Sequence, residues 1–507
     1  MRKTFSFTAV LCLVFSLLWS RIFYLQLVRG RENRQLAEGN RVKIIRTPAP
    51  RGVIFDRNGQ VLVRNRPEGR EYVYHQALAH VLGYLGEADQ EELQSIDSFS
   101  QFDYSNFPRQ EVKVLIGKIG IEREYDHPLR GKEGGVLVET NALGEVAREI
   151  KKQPAQEGES LTLSLDLGLQ KKAFQLLKGR KGVVVASQPA TGQVLALVSS
   201  PSFDPNIFTL GEPEAGKIEE VFNNPDKLIF NRAVAGLYPP GSVFKIVTAV
   251  AGLEEEVIDQ STTVEDTGQI EAGGRTFGNW YYSQYGKTEG MVDIVKALKR
   301  SNDIFFYKVG AWLGSVKLAQ WAKYFGLGQP LGIGLPGEAG GLVPTPQWKK
   351  ENKLEGWYLG DTFITAIGQG NLQLTPLQVN AMAAVIAAQG NLCQPQLLKD
   401  QQASCLDLQL KTETLDLVKE GMKQACQSGG TGWPFFTFSP QVGCKTGTAE
   451  FADPQERTHA WFSVFAPWDK PEIVLTVLLE GAGEGSEQAA PVAKELLKYW
   501  FADKEEK

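Results

Sequence analysis

The sequence contains little histidine and cysteine, which limits the metal chemistry that it can support. Its 507 residues include only four histidines and five cysteines. The histidines are widely scattered, and none stands at a spacing typical of a metal site: His75, His80, His127 and His459. Gly-rich phosphate loops of the Walker or dinucleotide-binding kind are also missing. We therefore expect neither a bound metal nor a cofactor.

The chain also lacks a strong charge of either sign. Lys and Arg number 54 against 59 Asp and Glu, which leaves a formal net charge of −5. This balance leaves no excess of Lys and Arg of the kind that is typical of nucleic-acid-binding proteins. The length exceeds that of one ordinary domain and suits two or three.

One long apolar run is present, and it lies at the N-terminus. Arg2 and Lys3 precede the apolar residues 5–19, and residues 22–25 extend the run beyond Arg21. The total is near the length that spans a bilayer, with Arg21 reaching toward an interface. A cleaved signal peptide is the alternative, but no small-x-small cleavage site follows the run. We predict an uncleaved transmembrane signal anchor, with its cytoplasmic tip, at residues 1–28.

A polar segment at residues 153–158 separates two parts of the chain that differ in residue pattern. Residues 29–157 are charged and irregular, and they include the hairpin signal Asp-Arg-Asn-Gly at 56–59 between two short β-type runs. We predict a small β-rich pedestal at 29–157 and a main domain at 158–507.

The main domain begins and ends with strand patterns. Residues 231–435, which lie between them, are mostly helical in pattern. We predict an α+β fold with an antiparallel five-stranded sheet, flanking helices and an all-helical insertion. The predicted strands are 182–187, 194–199, 441–451, 460–465 and 473–479, and the flanking helices are 167–177 and 488–500.

A Ser-x-x-Lys pair stands at the start of an apolar helix in this insertion. Two prolines and a glycine at 239–241 end one element, and residues 243–253 then follow helical spacing. Ser242 and Lys245 share one face of that helix. A serine becomes a nucleophile when a base takes its proton, and a lysine can be that base when burial and a helix N-terminus lower its pKa. An isolated pair is more often an N-cap serine followed by a solvated lysine.

A Lys-Thr-Gly-Thr segment occurs on the third predicted strand. Its lysine and hydroxyl groups are suited to hold a carboxylate, and its glycine leaves room for a ligand backbone. By itself such a segment is common in turns. Its residues are Lys445, Thr446, Gly447 and Thr448.

A third element, Ser301-Asn302-Asp303, lies between two helical patterns, where Ser301 alone would be interpreted as a helix cap. The three elements together, in this order, form the set described for penicillin-binding proteins and serine β-lactamases.

The chain resembles class B penicillin-binding proteins over nearly its whole length. Asp303 stands where the family usually has Asn, and with the Phe-Phe-Tyr that follows it resembles the elongation-type branch. After Asn65 the chain passes almost directly to residues 70–74, so the resemblance implies a pedestal with a missing or reduced head. Beyond the motifs, the resemblance rests on residues 51–59, 120–126, 335–346, 366–378, 459–462 and 489–491.

The resemblance implies a penicillin-binding transpeptidase fold and a peptidoglycan D,D-transpeptidase that cross-links stem peptides with loss of the terminal D-Ala and binds β-lactams. Ser242 would be the acylated nucleophile, Lys245 its base and Ser301 a proton relay. Lys445 would help to set the proton affinities of these three side chains. The residues implied to contact substrate are Asp303, Thr446, Gly447 and Thr448, with the N–H groups of Ser242 and Thr448 as oxyanion hole.

The family's chemistry places the catalytic domain outside the cytoplasmic membrane, with a SEDS-family glycosyltransferase as the membrane partner. A β-lactamase or D,D-carboxypeptidase, a non-catalytic scaffold for a glycan polymerase, a penicillin-sensing receptor and a division- or sporulation-type transpeptidase are the alternatives. The acceptor amine, meso-diaminopimelate or lysine, stays open.

Four of the five cysteines fall in the last quarter of the chain. In an oxidising compartment they would form two disulfides, and otherwise four free thiols. Cys444 replaces the family's glycine before Lys-Thr-Gly, and its pairing with Cys426 is a hypothesis. The other two are Cys393 and Cys405.

Overall fold

The structure is a computed structural model that describes residues 2–31, 42–95, 114–141, 145–209 and 214–505. The chain divides into two compact units, which comprise Met1–Gly52, Glu87–Ile116 and His127–Glu159 in one, and Val53–Gly86, Gly117–Asp126 and Ser160–Lys507 in the other. Parts of the predicted pedestal, residues 53–86 and 117–126, thus cluster with the larger unit. The domain boundaries themselves stay a prediction.

The N-terminal helix is Arg2–Phe23, and a π-type turn, Tyr24–Val28, continues it. The stretch Phe7–Val28 has 22 residues, a mean hydropathy of 1.8 and no buried portion. It is long and apolar enough to cross a membrane, as expected of an anchor.

The smaller unit contains a three-stranded antiparallel sheet in the order Val42–Thr47, Gly134–Thr140 and Val146–Gln153. Charged and apolar residues mix along the last strand, and nearly all of it is exposed.

The larger unit is built around the predicted antiparallel sheet, whose strands are β1 (Gly182–Ser187), β2 (Val194–Ser200), β3 (Gly443–Glu450), β4 (Thr458–Ala466) and β5 (Ile473–Leu479). Their order across the sheet is β2-β1-β5-β4-β3. β1 and β5 are buried along their whole length because helices cover both faces of the sheet. Leu167–Leu176 and Ala490–Glu505 pack on one face and Pro376–Ala387 on the other.

β3, which carries the Lys-Thr-Gly-Thr segment, is one of the two edge strands of this sheet. Residues alternate between the two faces of a strand. Lys445 and Gly447 therefore point to the face opposite Cys444, which belongs to the core cluster with Leu167–Leu176 and Ala490–Glu505.

The insertion between β2 and β3 is mostly helical, but it is not all-helical as predicted. It also contains three two-stranded ribbons: Val264–Asp266 with Gly290–Val292, Gln269–Ala272 with Arg275–Gly278, and Asn391–Cys393 with Cys405–Asp407. Its helices of eight or more residues are Ala215–Asn223, Lys245–Glu254, Asp303–Tyr324, Pro346–Lys353, Leu359–Ala366, Pro376–Ala387 and Thr412–Ala425.

Short elements complete the two units. The predicted hairpin near residue 56 is present as Ile54–Phe55 and Val61–Arg66, within a four-stranded sheet that also contains Gly69–Tyr72 and Leu161–Thr162. The remaining short strands are Leu85–Glu87 and Leu115–Gly117, and the remaining short helices are Ala79–Leu82, Gln90–Ser95, Gly120–Glu124, Asp126–Arg130, Asn206–Thr209, Trp280–Tyr285 and Ile294–Arg300.

Two disulfides are present, and one of them is next to the edge strand. Cys426, at the C-terminus of the helix Thr412–Ala425, is bonded to Cys444 of β3, with their Cα atoms 5.9 Å apart. Cys393 is bonded to Cys405 across a ribbon. The first bond ties the edge strand to a helix of the insertion.

We expect the double substitution Cys426→Ala with Cys444→Ala to lower the thermal unfolding midpoint of the full chain in detergent. The bond closes a loop with a sequence separation of 18, for which a loss of chain entropy worth about 3 kcal/mol is typical. The matched pair Cys393→Ala with Cys405→Ala should cost less, because Cys405 is exposed whereas Cys444 is fully buried. An unchanged midpoint in the first variant would contradict this.

Candidate active site

Ser242 lies on a short 3-10 turn, Gly241–Phe244, that leads into the helix Lys245–Glu254. Gly241 has φ +56°, and a Cβ there would lie 2.8 Å from the carbonyl oxygen of Thr448. The Gly241 N–H donates to the Gly368 carbonyl at 2.8 Å. Only glycine combines this backbone conformation with such a close approach to β3, so the turn is held against the edge strand.

A second contact fixes the proline segment before the serine. The buried indole N–H of Trp461, on β4, donates to the Pro239 carbonyl at 3.0 Å. Just upstream, the Tyr238 hydroxyl donates at 2.6 Å to Glu480, which also accepts from Arg232 at 2.9 Å. Contacts with the central sheet therefore hold the segment that immediately precedes Ser242.

Lys245 is fully buried, and its ammonium group uses all three of its donors within the protein. Lys245 Nζ donates to Asp303 Oδ1 at 2.6 Å, to the Ser301 carbonyl at 2.8 Å and to Ser301 Oγ at 3.3 Å. Within the described residues, no hydrogen bond joins Lys245 Nζ to the Ser242 hydroxyl. Ser242 thus precedes the α-helix that was predicted to carry both residues, and Lys245, the first residue of that helix, is engaged with the Ser-Asn-Asp element.

Ser301 lies between the two lysines. It caps the C-terminus of Ile294–Arg300 in the left-handed region, at φ 54°, and this turn directs its hydroxyl into the cluster. Lys445 Nζ donates to Ser301 Oγ at 2.8 Å and to the Thr446 carbonyl at 3.0 Å. The structure therefore brings Lys245, Ser301 and Lys445 together, as the motif resemblance implied.

The electrostatics of the two lysines differ. Burial lowers the pKa of Lys245, while the nearby charge of Asp303 opposes that shift. Burial, together with the neighbouring positive charge of Lys245, lowers the pKa of Lys445 well below its usual range. Asp303 is hydrogen-bonded to Lys245 alone of the two, and Lys445 bonds only neutral oxygens. Lys245 is therefore the better stabilised of the two ammonium groups.

The carboxylate of Asp303 is directed into the protein. One oxygen accepts from Lys245, and the other accepts from the Trp280 backbone N–H at 3.0 Å. Both carboxylate oxygens therefore have partners within the protein. The contact of Asp303 with substrate stays a prediction.

The threonines of the edge strand have neighbours on other segments. Thr446 Oγ1 donates to Thr431 at 2.8 Å, and Thr448 Oγ1 donates to Glu484 at 3.0 Å. Gly447 also has a packing reason for its small size, and the approach of a ligand there stays a prediction. A Cβ at Gly447 would lie 2.9 Å from Val243 Cγ2, so the glycine lets β3 pack against the serine turn.

A buried network that no sequence pattern indicates supports the Ser-Asn-Asp element. The carboxylate of Asp266 accepts hydrogen bonds at 2.9 Å from the side chains of Asn279 and Asn302 and from two backbone N–H groups. Asn279 in turn accepts from the Asp303 N–H at 3.1 Å. No motif or period marks Asp266 in the sequence, because its partners lie up to 36 residues away.

Gly447→Ala should destabilise the protein by about 1–3 kcal/mol, the usual cost of overpacking a rigid site. Its Cβ would be 3.0 Å from Trp461 Cβ and 3.1 Å from the Pro240 carbonyl, as well as close to Val243. Gly356→Ala is the control, because a Cβ there meets nothing within 4 Å. Thermal unfolding of both full-length variants in detergent checks this, and equal midpoints would contradict the packing argument.

Family models match two regions of the chain. The penicillin binding protein transpeptidase domain matches residues 182–498, and the penicillin-binding protein dimerisation domain matches residues 68–163. The first match covers more than half of the chain.

Curated relatives have the same name in several bacteria. Peptidoglycan D,D-transpeptidase MrdA of Haemophilus influenzae is 30% identical over 608 aligned positions, covering 99% of this chain and 91% of that protein. The Escherichia coli K12 protein of that name is 32% identical over 444 positions, covering 82% of this chain and 69% of that protein.

Solved structures agree with this similarity. The crystal structure of Pseudomonas aeruginosa PBP2 in complex with WCK 5153 has a TM-score of 0.78 at 34% identity, covering 90% of this chain and 96% of that one. The complex between PBP2 and MreC from Helicobacter pylori has a TM-score of 0.80 at 26% identity, covering 91% and 99%. The chain belongs to the penicillin-binding protein transpeptidase family, in its elongation-type class B branch.

Proposed function

We propose that this protein is a peptidoglycan D,D-transpeptidase that forms cross-links between stem peptides during lateral elongation of the cell wall. One observation supports this most strongly. The Ser301 hydroxyl lies within 3.3 Å of two buried lysine ammonium groups, next to a glycine-bearing turn that presents Ser242. Burying two like charges around one hydroxyl costs free energy. A purely structural role would not need that cost, so the arrangement favours a catalytic one.

In the proposed reaction, Ser242 Oγ attacks the carbonyl carbon of the penultimate D-Ala. Lys245 acts from its neutral form, in which one ammonium proton has been lost to solvent, and accepts the hydroxyl proton. The C–N bond to the terminal D-Ala breaks, and Ser301 passes its hydroxyl proton to the leaving amine while it takes the proton from Lys245 in return. An amine of a neighbouring stem then attacks the acyl-enzyme, forms the cross-link and frees Ser242.

Charge is stabilised at two places in this scheme. The N–H groups of Ser242 and Thr448 are assigned to the developing oxyanion. Thr446 and Thr448 hold the terminal carboxylate of the donor peptide, while Lys445 adds positive charge and a second proton site beside Ser301. Gly447 lets the strand lie against the serine turn, and its lack of a side chain leaves room for the ligand backbone.

β-Lactams are the expected inhibitors, because they imitate the D-Ala-D-Ala terminus and acylate the same serine. The N-terminal helix anchors the chain, and the proposed chemistry places the catalytic unit outside the cytoplasm. The related structures include a PBP2–MreC complex and one described as a peptidoglycan synthase complex that coordinates polymerization and crosslinking. A scaffold of the MreC kind and a SEDS-family polymerase are therefore the partners that we propose.

Ser242→Ala should abolish covalent labelling of the full-length protein by fluorescent penicillin and the release of D-Ala from a pentapeptide substrate. Removing the hydroxyl removes the acylated atom, so we expect a loss of at least about 10³-fold. Ser283→Ala, at an exposed serine on the helix Trp280–Tyr285, is the control. Retained labelling in Ser242→Ala would overturn the assignment, and rapid release of hydrolysed penicillin would favour a β-lactamase.

Asp303→Asn should shift the acid limb of the pH–rate profile for acylation toward lower pH by about 1–3 units, the range typical of a close charge partner. Asp303 favours the protonated form of Lys245, and so its loss lowers the pKa of Lys245 further. The neutral amine that acts as base then forms at a lower pH. Stopped-flow acylation between about pH 5 and 9 measures the shift, with the exposed-loop variant Asp259→Asn as control. An unmoved acid limb in Asp303→Asn would contradict the role given to this carboxylate.

A further inference from the structure

The side chain of Glu484 lies beside the proposed carboxylate-binding hydroxyl. Thr448 Oγ1 donates to Glu484 Oε2 at 3.0 Å. A threonine hydroxyl has one proton to donate, and here a carboxylate already accepts it. The geometry of this contact is the one that an incoming ligand carboxylate would need.

Glu484 also reaches the helical insertion. Its other carboxylate oxygen accepts from Gln284 Nε2, on the helix Trp280–Tyr285, at 3.2 Å. The side chain thus joins the edge strand to an exposed helix of the insertion. Among the described residues, no Lys, Arg or His forms an ion pair with Glu484, so its negative charge is held by neutral donors only.

The backbone around Glu484 is fixed against the sheet. Gly485 packs so closely that a Cβ would lie 2.2 Å from the Trp461 carbonyl and 2.5 Å from the Gly447 carbonyl. On the preceding side, Gly483 exchanges two hydrogen bonds with Thr458 of β4, both at 3.0 Å. These contacts hold the segment beside β3, and rotation of the Glu484 side chain would free the Thr448 hydroxyl without moving the backbone.

We propose that Glu484 is a specificity-determining residue that occupies the carboxylate site in the ligand-free enzyme and must rotate away when an anionic ligand binds. The proposal rests on the proposed function, since it takes Thr448 as a donor to the ligand carboxylate. Glu484 and the ligand carboxylate compete for one hydroxyl and repel each other at short range. The residue thereby weakens the capture of every ligand that carries a carboxylate at this position.

The test is the second-order acylation rate constant of the full-length protein with benzylpenicillin. Glu484→Gln keeps the size of the side chain and an acceptor oxygen but removes the charge. We expect the rate constant to rise by about threefold to tenfold at low ionic strength, and the gain to shrink as salt screens the charge. The matched control is Glu487→Gln, three residues along the same turn and exposed, for which no rise is expected.

Several outcomes overturn the proposal. An unchanged or lower rate constant in Glu484→Gln does so, and so does an equal rise in Glu487→Gln, since a general change in surface charge would then explain both. A gain that is independent of salt also contradicts electrostatic competition. Failure of the wild-type protein to be acylated at all would instead refute the proposed function, so the two failures are distinguishable.

Discussion

The main energetic constraint on this protein is a pair of buried lysine ammonium groups that donate to the same serine hydroxyl. Lys245 and Lys445 are both fully buried, and Ser301 Oγ accepts from each. A single carboxylate, Asp303, contacts only the first lysine. Desolvating these charges is costly, and the hydrogen bonds within the cluster recover only part of that cost. The cluster is therefore costly to form, and the surrounding fold must hold it in place.

The surrounding contacts act on each of the three converging elements. Gly241, Gly447 and the Trp461 indole hold the serine turn against β3 and β4. The Cys426–Cys444 bond ties the strand that carries Lys445 to the insertion. Asp266, through its hydrogen bonds to Asn279 and Asn302, holds the segment that carries Ser301 and Asp303. Rigid elements that meet in this way place reactive groups more precisely than loops do.

Much of this arrangement was predictable from local patterns. The five strands alternate or run continuously apolar, and the Pro-Pro-Gly sequence marks the serine turn, so sheet and turn follow from short-range chemistry. The three motifs that meet in the site were recognisable in the sequence, and their combination led to the family resemblance. The Lys245–Asp303 contact, the Asp266 network and the position of Glu484 depend on residues far apart in sequence. The three ribbons were missed because strands of three or four residues inside a helical region are too short to show a clear periodicity.

The most direct test is to locate the covalent adduct after treatment of the full-length protein with benzylpenicillin. Trypsin should cut after Arg232 and Lys245, and mass spectrometry then reads the peptide that contains Ser242. The account predicts a long-lived penicilloyl adduct on Ser242 in that peptide and on no other. An adduct at another residue, or release of penicilloic acid without a stable adduct, would contradict the assignment of this cluster as the active site of a transpeptidase.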